Sequence, residues 1–548
     1  MALSIVGSCV VAVGMMQPPG GWSVMGTVIQ VQLPAGVETG MASDTFKVVP
    51  RWNPEDVAEL LEEYDVEWQA AGPTFEGGDS LQLMESAKGV GAAARDSASI
   101  VPENGLPADS ASAPSHAPSP PVRPVPQLRD WTGISDVLKV SIPEAARPAF
   151  ARLFFALEEH GNVDVLHYGD SQIEADRISG VLRHAWQQRW GGYGPGLQSA
   201  VPLVQSFALR QSHSAGWSRH TRYGRRDTTD TDERYGLLAC YATFSDATAL
   251  PACLSVEPEP RNHSNFGRWD AIRIWHDSVT VDCPVALNGI PADTLYAGTA
   301  ADVLDIPMAA DSIGFDPDGN AQICFNALPP RIFAIEPVGH GVQWHGLPMR
   351  GSSGTLFRKL DRPLFRKQLT QLDPELIILQ YGGNTVPYCK DRAAADRYGS
   401  WFASQIRLFQ LLLPQSAILV IGPSDMSEKQ GVDWTPYPRL VDIRDAMARV
   451  AEEEGVAFWD LLEVMGGIGS MPAWVQSTPP LAGPDHVHFT PLGARKVGTL
   501  LDRSLLASYV EWKKNWTPSP PQVLGSKGPG NIAPTRTPSA QLALPDGD

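Results

Sequence analysis

The sequence predicts an α/β fold: a three-layer α/β/α body with a parallel sheet, interrupted by an inserted β-sandwich and flanked by disordered N- and C-terminal tails. Three observations predict it. From Val163 onward, short apolar runs without polar alternation are separated by helical stretches, which is how strands buried on both faces read. The segment Val204–Val342 abandons that rhythm for short strand-like pieces between Gly, Asp, Asn and Pro turns. Both ends are rich in Pro, Ser and Ala, a composition that buries too little to order itself.

Taken in order, residues 1–127 comprise an apolar segment, a short helix and a linker. Ala2–Met16 is too short for a membrane-spanning helix, which needs about 20 residues, and fits a signal-peptide core. It lacks a basic leader, since the first Lys is Lys47 and no Arg precedes it. Val6-Gly7-Ser8-Cys9 resembles a bacterial lipobox, with Cys9 as the lipidated residue, so export to the periplasm or cell envelope is expected. Asn53 caps a short acidic helix through Tyr64, with Pro54 at its first position. An Ala/Ser/Pro linker follows, from about Gly89 to Pro126.

The folded body is expected over 128–516, in two catalytic parts, 128–203 and 343–516, around the sandwich at 204–342. Strands are predicted at Val163–Tyr168, Glu375–Tyr381, Ala417–Ile421 and Val456–Trp459. Helices are predicted at Ile173–Trp190, Arg392–Leu413, Arg439–Glu454 and Pro491–Leu506. Within the insertion, Ala271–Trp275, Ser278–Val281 and Ala321–Phe325 read as strands. Cys240, Cys253, Cys283 and Cys324 cluster there, enough for two disulfides in an oxidising compartment, while Cys389 stands apart. Residues 517–548 form a Pro-rich tail.

Composition narrows the function. The chain has 548 residues, 43% of them hydrophobic, a net charge of −18 and a pI near 5.1. Such an acidic chain has no basic excess for nucleic acid, nor for an anionic membrane surface. Sixteen Trp is high for this length; such rings often line carbohydrate sites, but core packing explains most Trp, so the count alone decides nothing.

Three short motifs carry chemistry. Gly169-Asp170-Ser171 follows the first strand and precedes a helix, so Ser171 falls at the carboxyl edge of the sheet, with its N–H at the positive end of that helix. Asp485-His486-Val487-His488 precedes the last helix. A serine nucleophile needs a base within hydrogen-bond reach and a carboxylate to fix that base, and Asp and His three apart on a loop supply both. His486 is expected at the solvent or pocket rim. Gly382-Gly383-Asn384 follows the second parallel strand, where Asn384 can aim an amide at the same crevice.

In chain order, nucleophile, then amide donor, then Asp-x-x-His, the motifs resemble the SGNH (GDSL-type) hydrolase family. The resemblance implies Ser171 as nucleophile and oxyanion-hole N–H, Asn384 as side-chain donor, His488 as base and Asp485 as its orienting carboxylate. The glycine block maps best to Gly351, with Gly346 and Gly354 as alternatives. Two departures are Thr385, where the family often has an acid, and Gln172, where the motif has Leu. The stretch from Gly169 through Arg177, with Trp190–Gly196, is similar to exported bacterial members that carry a β-sandwich between the first two blocks. Peptidoglycan O-acetylesterases share that layout. On this likeness the insertion would be a carbohydrate-binding module, the alternative being a packing domain without a ligand; its placement between the first strand and the Gly block would have it leave and re-enter at the active-site rim.

The expected function is a serine esterase that removes O-acetyl groups from peptidoglycan or another polysaccharide through an acyl-enzyme, without cofactor or metal. Expected partners are the acetylated polymer, no nucleic acid, and a membrane only through a lipid anchor at Cys9. The alternatives are an O-acetyltransferase using the same triad and a surface glycan-binding protein with a vestigial site.

Overall fold

The computed structural model describes residues 139–515, except 160–161, 225–231, 260–262, 309–315 and 317, together with a hairpin in the unit Met1–Arg51, where Trp22–Val24 pairs antiparallel with Thr27–Ile29. The apolar segment with Cys9, the helix at Asn53, the linker and the Pro-rich tail lie outside the described residues.

The body is built on a six-stranded sheet. Its strands in chain order are β1 (Val163–Gly169), β2 (Gly192–Tyr193), β3 (His340–Pro348), β4 (Leu376–Gln380), β5 (Ala417–Ile421) and β6 (Ala457–Trp459). The spatial order is β6-β5-β4-β1-β3-β2, parallel except for the short edge strand β2. The strands are apolar without alternation because both faces are covered. Leu376, Ile378, Leu419 and Ile421 face one core, and Ile377, Leu379, Ile418 and Val420 face the other. Helices α1 (Arg147–Glu158), α2 (Ser179–Trp190) and the C-terminal α6 (Pro491–Asn515) fill the first core, through Phe150, Leu182 and Leu501 among others. Helices α3 (Arg362–Leu372), α4 (Arg392–Leu412) and α5 (Leu440–Glu453) fill the second, through Leu369, Phe409 and Met447. The predicted three-layer α/β/α fold is the fold observed.

Strand register decides where the site forms. Pro348 is level with Gly169, Gly169 with Gln380, Gln380 with Ile421 and Ile421 with Trp459. The loops after β3, β1 and β4 therefore leave the sheet side by side at its carboxyl edge, where open α/β sheets form their crevices.

The insertion is a β-sandwich of two five-stranded antiparallel sheets. Ala271–His276 and Ala321–Phe325 are strands as predicted, whereas Ser278–Val281 is a connection. The last sandwich strand ends at Val338 and His340 already belongs to β3, so re-entry comes a little before the expected 342. Gly339 makes that passage, and a Cβ there would overlap the Tyr193 carbonyl. The sandwich packs directly against the parallel-sheet body. Its Tyr235, Leu237, Tyr241, Trp275 and Phe333 share one core with Tyr168, Leu347 and Phe357 of the catalytic part. Tyr168 Oη donates to the Leu237 carbonyl at 3.0 Å, and the Leu237 N–H donates to Gln368 Oε1 at 2.7 Å.

The cysteine expectation needs correction. Cys253 and Cys324 form a disulfide, but Cys240 and Cys283 are free thiols. Cys253 and Cys324 are register partners on adjacent strands, while Cys240 and Cys283 lie in different sheets of the sandwich. Among the described residues, no helix is long and apolar enough to cross a membrane.

Candidate active site

The structure brings the predicted residues to one place. Ser171 Oγ stands 2.9 Å from His488 Nε2, across 317 residues of chain, and His488 Nδ1 stands 2.7 Å from Asp485 Oδ2. The Asp485 carboxylate accepts from Nδ1–H, which fixes the imidazole tautomer and leaves the Nε2 lone pair for the serine hydroxyl. Oδ1 of Asp485 also accepts from the N–H groups of Val487 and His488, each at 3.1 Å, so one carboxylate shapes the whole loop. Burial pushes the Asp485 carboxyl up, but hydrogen bonds from the His488 ring and these N–H groups outweigh it and hold its pKa below the ordinary value. The cluster opens to solvent, with the His488 side chain 38% exposed.

The segment after Ser171 differs from expectation. The helix predicted from Ile173 begins at Ser179. Before it, Ser171–Asp176 is a 3-10 turn broken at Glu174 (ψ 152°) and Ala175 (φ 59°). The break has a polar cause: the Glu174 carboxylate is bound by Arg350, and Asp176 by Arg183 and the Ser179 hydroxyl. The Ser171 N–H therefore opens a tight turn rather than the α-helix whose dipole the sequence suggested.

Asp170 is buried behind Ser171. Its Oδ1 accepts from the Gln172 N–H at 2.9 Å, and its Oδ2 from the Asn384 amide at 3.0 Å. Burial raises its pKa to about 6, against those two hydrogen bonds and the nearby His488. Asn384 thus reaches the Ser171 loop as expected, and its amide also donates to the Ser352 carbonyl at 3.2 Å.

The glycine block lies on the neighbouring loop. The Met349 N–H donates to the Gly169 carbonyl at 2.7 Å, which ties this loop to the Ser171 loop. Gly351 follows two residues later, with φ 75°, a left-handed value that favours glycine, and with open space where a Cβ would stand. The alternatives have other duties. A Cβ on Gly346 would collide with the Ser179 hydroxyl, and the Gly354 N–H is taken by Ser352 Oγ at 3.1 Å.

Sequence reading missed two residues that hold His488 in place. Gln172 Nε2 donates to the Val487 carbonyl at 2.8 Å, and Gln172 Oε1 accepts from the Phe489 N–H at 3.4 Å. Arg177 donates to the Ser171 carbonyl at 2.7 Å and to the Phe489 carbonyl at 2.9 Å. Both stand in the stretch Ser171–Arg177 beside the nucleophile, so proximity to the motif was the available signal. His486 also departs from expectation. It is 5% exposed, adopts φ 56° and stacks on Trp434 at 3.9 Å, packing the loop against the hairpin Ser427–Gln430/Asp433–Pro436. Among the described residues, no cluster of three or more His, Cys, Asp or Glu could hold a metal ion.

A parallel sheet with Ser, Gly, Asn and His segments converging at its carboxyl edge is an SGNH hydrolase-like fold. Among solved structures, the chain is similar to a peptidoglycan O-acetylesterase, with a TM-score of 0.55 and 21% identity over 68% of this chain and 99% of that one. It is also similar to the salicylyl-acyltransferase SsfX3 of a tetracycline biosynthetic pathway (TM-score 0.24, 12% identity, 56% of this chain and 98% of that one). A third is the acetyl xylan esterase AlAXEase (TM-score 0.23, 16% identity, 29% of this chain and 79% of that one). No protein-family model and no curated protein matches the sequence.

Proposed function

We propose that the chain is a serine esterase that removes O-acetyl groups from a polysaccharide, with peptidoglycan the leading substrate. The observation that carries this reading is the continuous relay Ser171–His488–Asp485 at 2.9 and 2.7 Å. Ser171 Oγ attacks the ester carbonyl as His488 Nε2 takes its proton. The tetrahedral oxyanion is met by the N–H groups of Ser171 and Gly351 and by the Asn384 amide, which turns from the Ser352 carbonyl toward the new charge. His488 returns the proton to the leaving sugar oxygen, and water then repeats the sequence on the acetyl-enzyme. The neighbour with the same span of fold is named for acetyl removal from peptidoglycan, which supports the choice of ester and polymer.

Export to the cell envelope belongs to the same proposal, and the Cys253–Cys324 disulfide supports an oxidising compartment. The test is acetate release from O-acetylated peptidoglycan and turnover of 4-nitrophenyl acetate, each with the wild type and Ser171→Ala. Turnover by the wild type and none by the variant is expected. A wild type inert on both esters, or a variant as active as the wild type, would refute the reading.

A further inference from the structure

Beside the site lies a pocket of about 80 Å³ that the chemistry above leaves unused. It opens where the sandwich meets the end of β3. Glu174, Pro348 and Arg350 form its catalytic wall, and Arg219, Tyr223 and Cys240 form the sandwich wall. We propose that this pocket is a subsite for a carboxylate borne by the sugar, with Arg219 as its cation. The inference rests on the esterase reading and gives it a substrate class: acetylated glycans containing acidic sugars.

The argument begins with pairing. The other arginines around this junction have partners. Arg350 binds Glu174, Arg183 binds Asp176, Arg222 binds Glu233, and Arg234 binds Asp277 and Asp361. Arg219 is half-buried, and no described residue forms an ion pair or hydrogen bond with its guanidinium. A cation withdrawn from water without a counter-charge is costly, and a ligand carboxylate would relieve that cost.

Strand geometry aims it. Arg219 lies in Trp217–Thr221, two residues from the buried Trp217, and alternate residues of a strand share a face. Its side chain therefore leaves on the inward side, just beyond the sandwich core. Glu174 across the pocket is already neutralised by Nε and Nη2 of Arg350, which leaves Arg350 Nη1 as a second donor. A fixed carboxylate on that wall disfavours a dianion, so a singly charged carboxylate fits better than a phosphate ester. Guanidinium and carboxylate also match in planar, bidentate geometry.

Position links the pocket to the chemistry. It sits at the end of β3, the strand next to β1, and Ser171 follows β1 directly. A glycan lying across these two adjacent loops would present its ester to Ser171 and its acid to the pocket that Arg219 lines.

The test separates binding from turnover. Thermal unfolding of the wild type is followed with glucuronate against glucose, and with N-acetylmuramate against N-acetylglucosamine. The first pair changes only C6 from alcohol to carboxylate, the second adds a carboxylate on a lactyl arm, and sodium sulfate at equal ionic strength controls for general anion effects. At least one acid should raise the melting temperature above its neutral partner and above sulfate. Arg219→Gln should abolish that shift and Arg219→Lys should retain part of it. On acetylated N-acetylmuramic acid or acetylated glucuronoxylan, Arg219→Gln should lower kcat/KM about 10–100-fold while 4-nitrophenyl acetate turnover stays within about twofold. No acid-specific shift, a shift that survives in Arg219→Gln, or an equal effect of sulfate would overturn the proposal. Because the melting measurement needs no turnover, it still reads the pocket if the esterase reading itself fails.

Discussion

The carboxyl edge of the parallel sheet and the sandwich beside it use polar groups in opposite ways. At the sheet edge, hydrogen bonds join segments far apart in sequence: Ser171 to His488, Asn384 to Asp170, Gln172 to Val487. In the sandwich, the polar and covalent links include ties between register neighbours, such as Arg273 with Asp305 and Cys253 with Cys324. Local cross-strand links stabilise a sheet, whereas long-range ones fix the position of a loop that has no regular structure of its own. Substitutions at the edge should therefore cost activity before stability, and those among sandwich neighbours stability before activity.

The largest effect should come from His488→Ala, which removes the base and should reduce kcat by about 10⁴–10⁶-fold with the fold intact. Adding Ser171→Ala should cost hardly more, because the two act as a unit. Asp485→Asn should cost less than either, about 10³–10⁴-fold. His486→Ala removes a buried ring stacked on Trp434, so it should lower the melting temperature more than kcat. If His486→Ala were the inactivating change and His488→Ala silent, the assignment of the base would be wrong.

Next is Gln172→Leu, which restores the residue usual in the motif. It removes the contacts to Val487 and Phe489 on either side of His488. Misplacing a catalytic group by about 1 Å can cost about 10²-fold, so a 10–100-fold loss in kcat is expected with unchanged thermal stability. An unaltered kcat would show that Asp485 and Arg177 hold the loop without Gln172.

For the sandwich, Cys253→Ser should lower stability by about 2–4 kcal/mol in denaturant titration and leave native turnover of 4-nitrophenyl acetate unchanged. Equal losses of both would mean that the core shared with Tyr168 transmits the damage to Ser171.

Much of this was legible in the sequence, for reasons that separate it from what was not. Ile377, Ile378 and their equivalents in β5 announce a sheet buried on both sides, and two of the three motifs follow strands of that sheet directly while Asp485–His488 precedes the last helix. Hydrophobic pattern and short-range spacing carry that information. The partners of Gln172 and Arg177, the fusion of the sandwich with the Tyr168 core and the burial of His486 depend on which loops meet after folding, and no local pattern encodes that. The cysteines show the same limit: their number suggested two bridges, but only cross-strand register shows that Cys253 faces Cys324 while Cys240 and Cys283 lie in different sheets.

The smallest expected effect tests the edge region at its least favourable point. Asp170 is buried and its pKa is raised from 3.8 to about 6, so the folded protein holds this proton more tightly than the unfolded chain does. The stability it contributes is therefore complete below pH 3.8 and declines as pH rises to about 6, after which the cost of a buried carboxylate is constant. Asp170→Asn keeps an oxygen acceptor for the Gln172 N–H but cannot ionise, and it sets two amide groups against each other where Asn384 now donates to a carboxylate. The offset makes the absolute change small, but its pH dependence is clean. The melting temperature of Asp170→Asn minus that of the wild type should increase from pH 4 to pH 7, by the equivalent of about 1–3 kcal/mol, and then level off. A difference that falls over that range would mean the folded protein prefers the ionised carboxylate. The Asn384 amide and Gln172 N–H would then outweigh burial, making Asp170 a fixed negative charge beneath the nucleophile rather than a group that titrates in the working range.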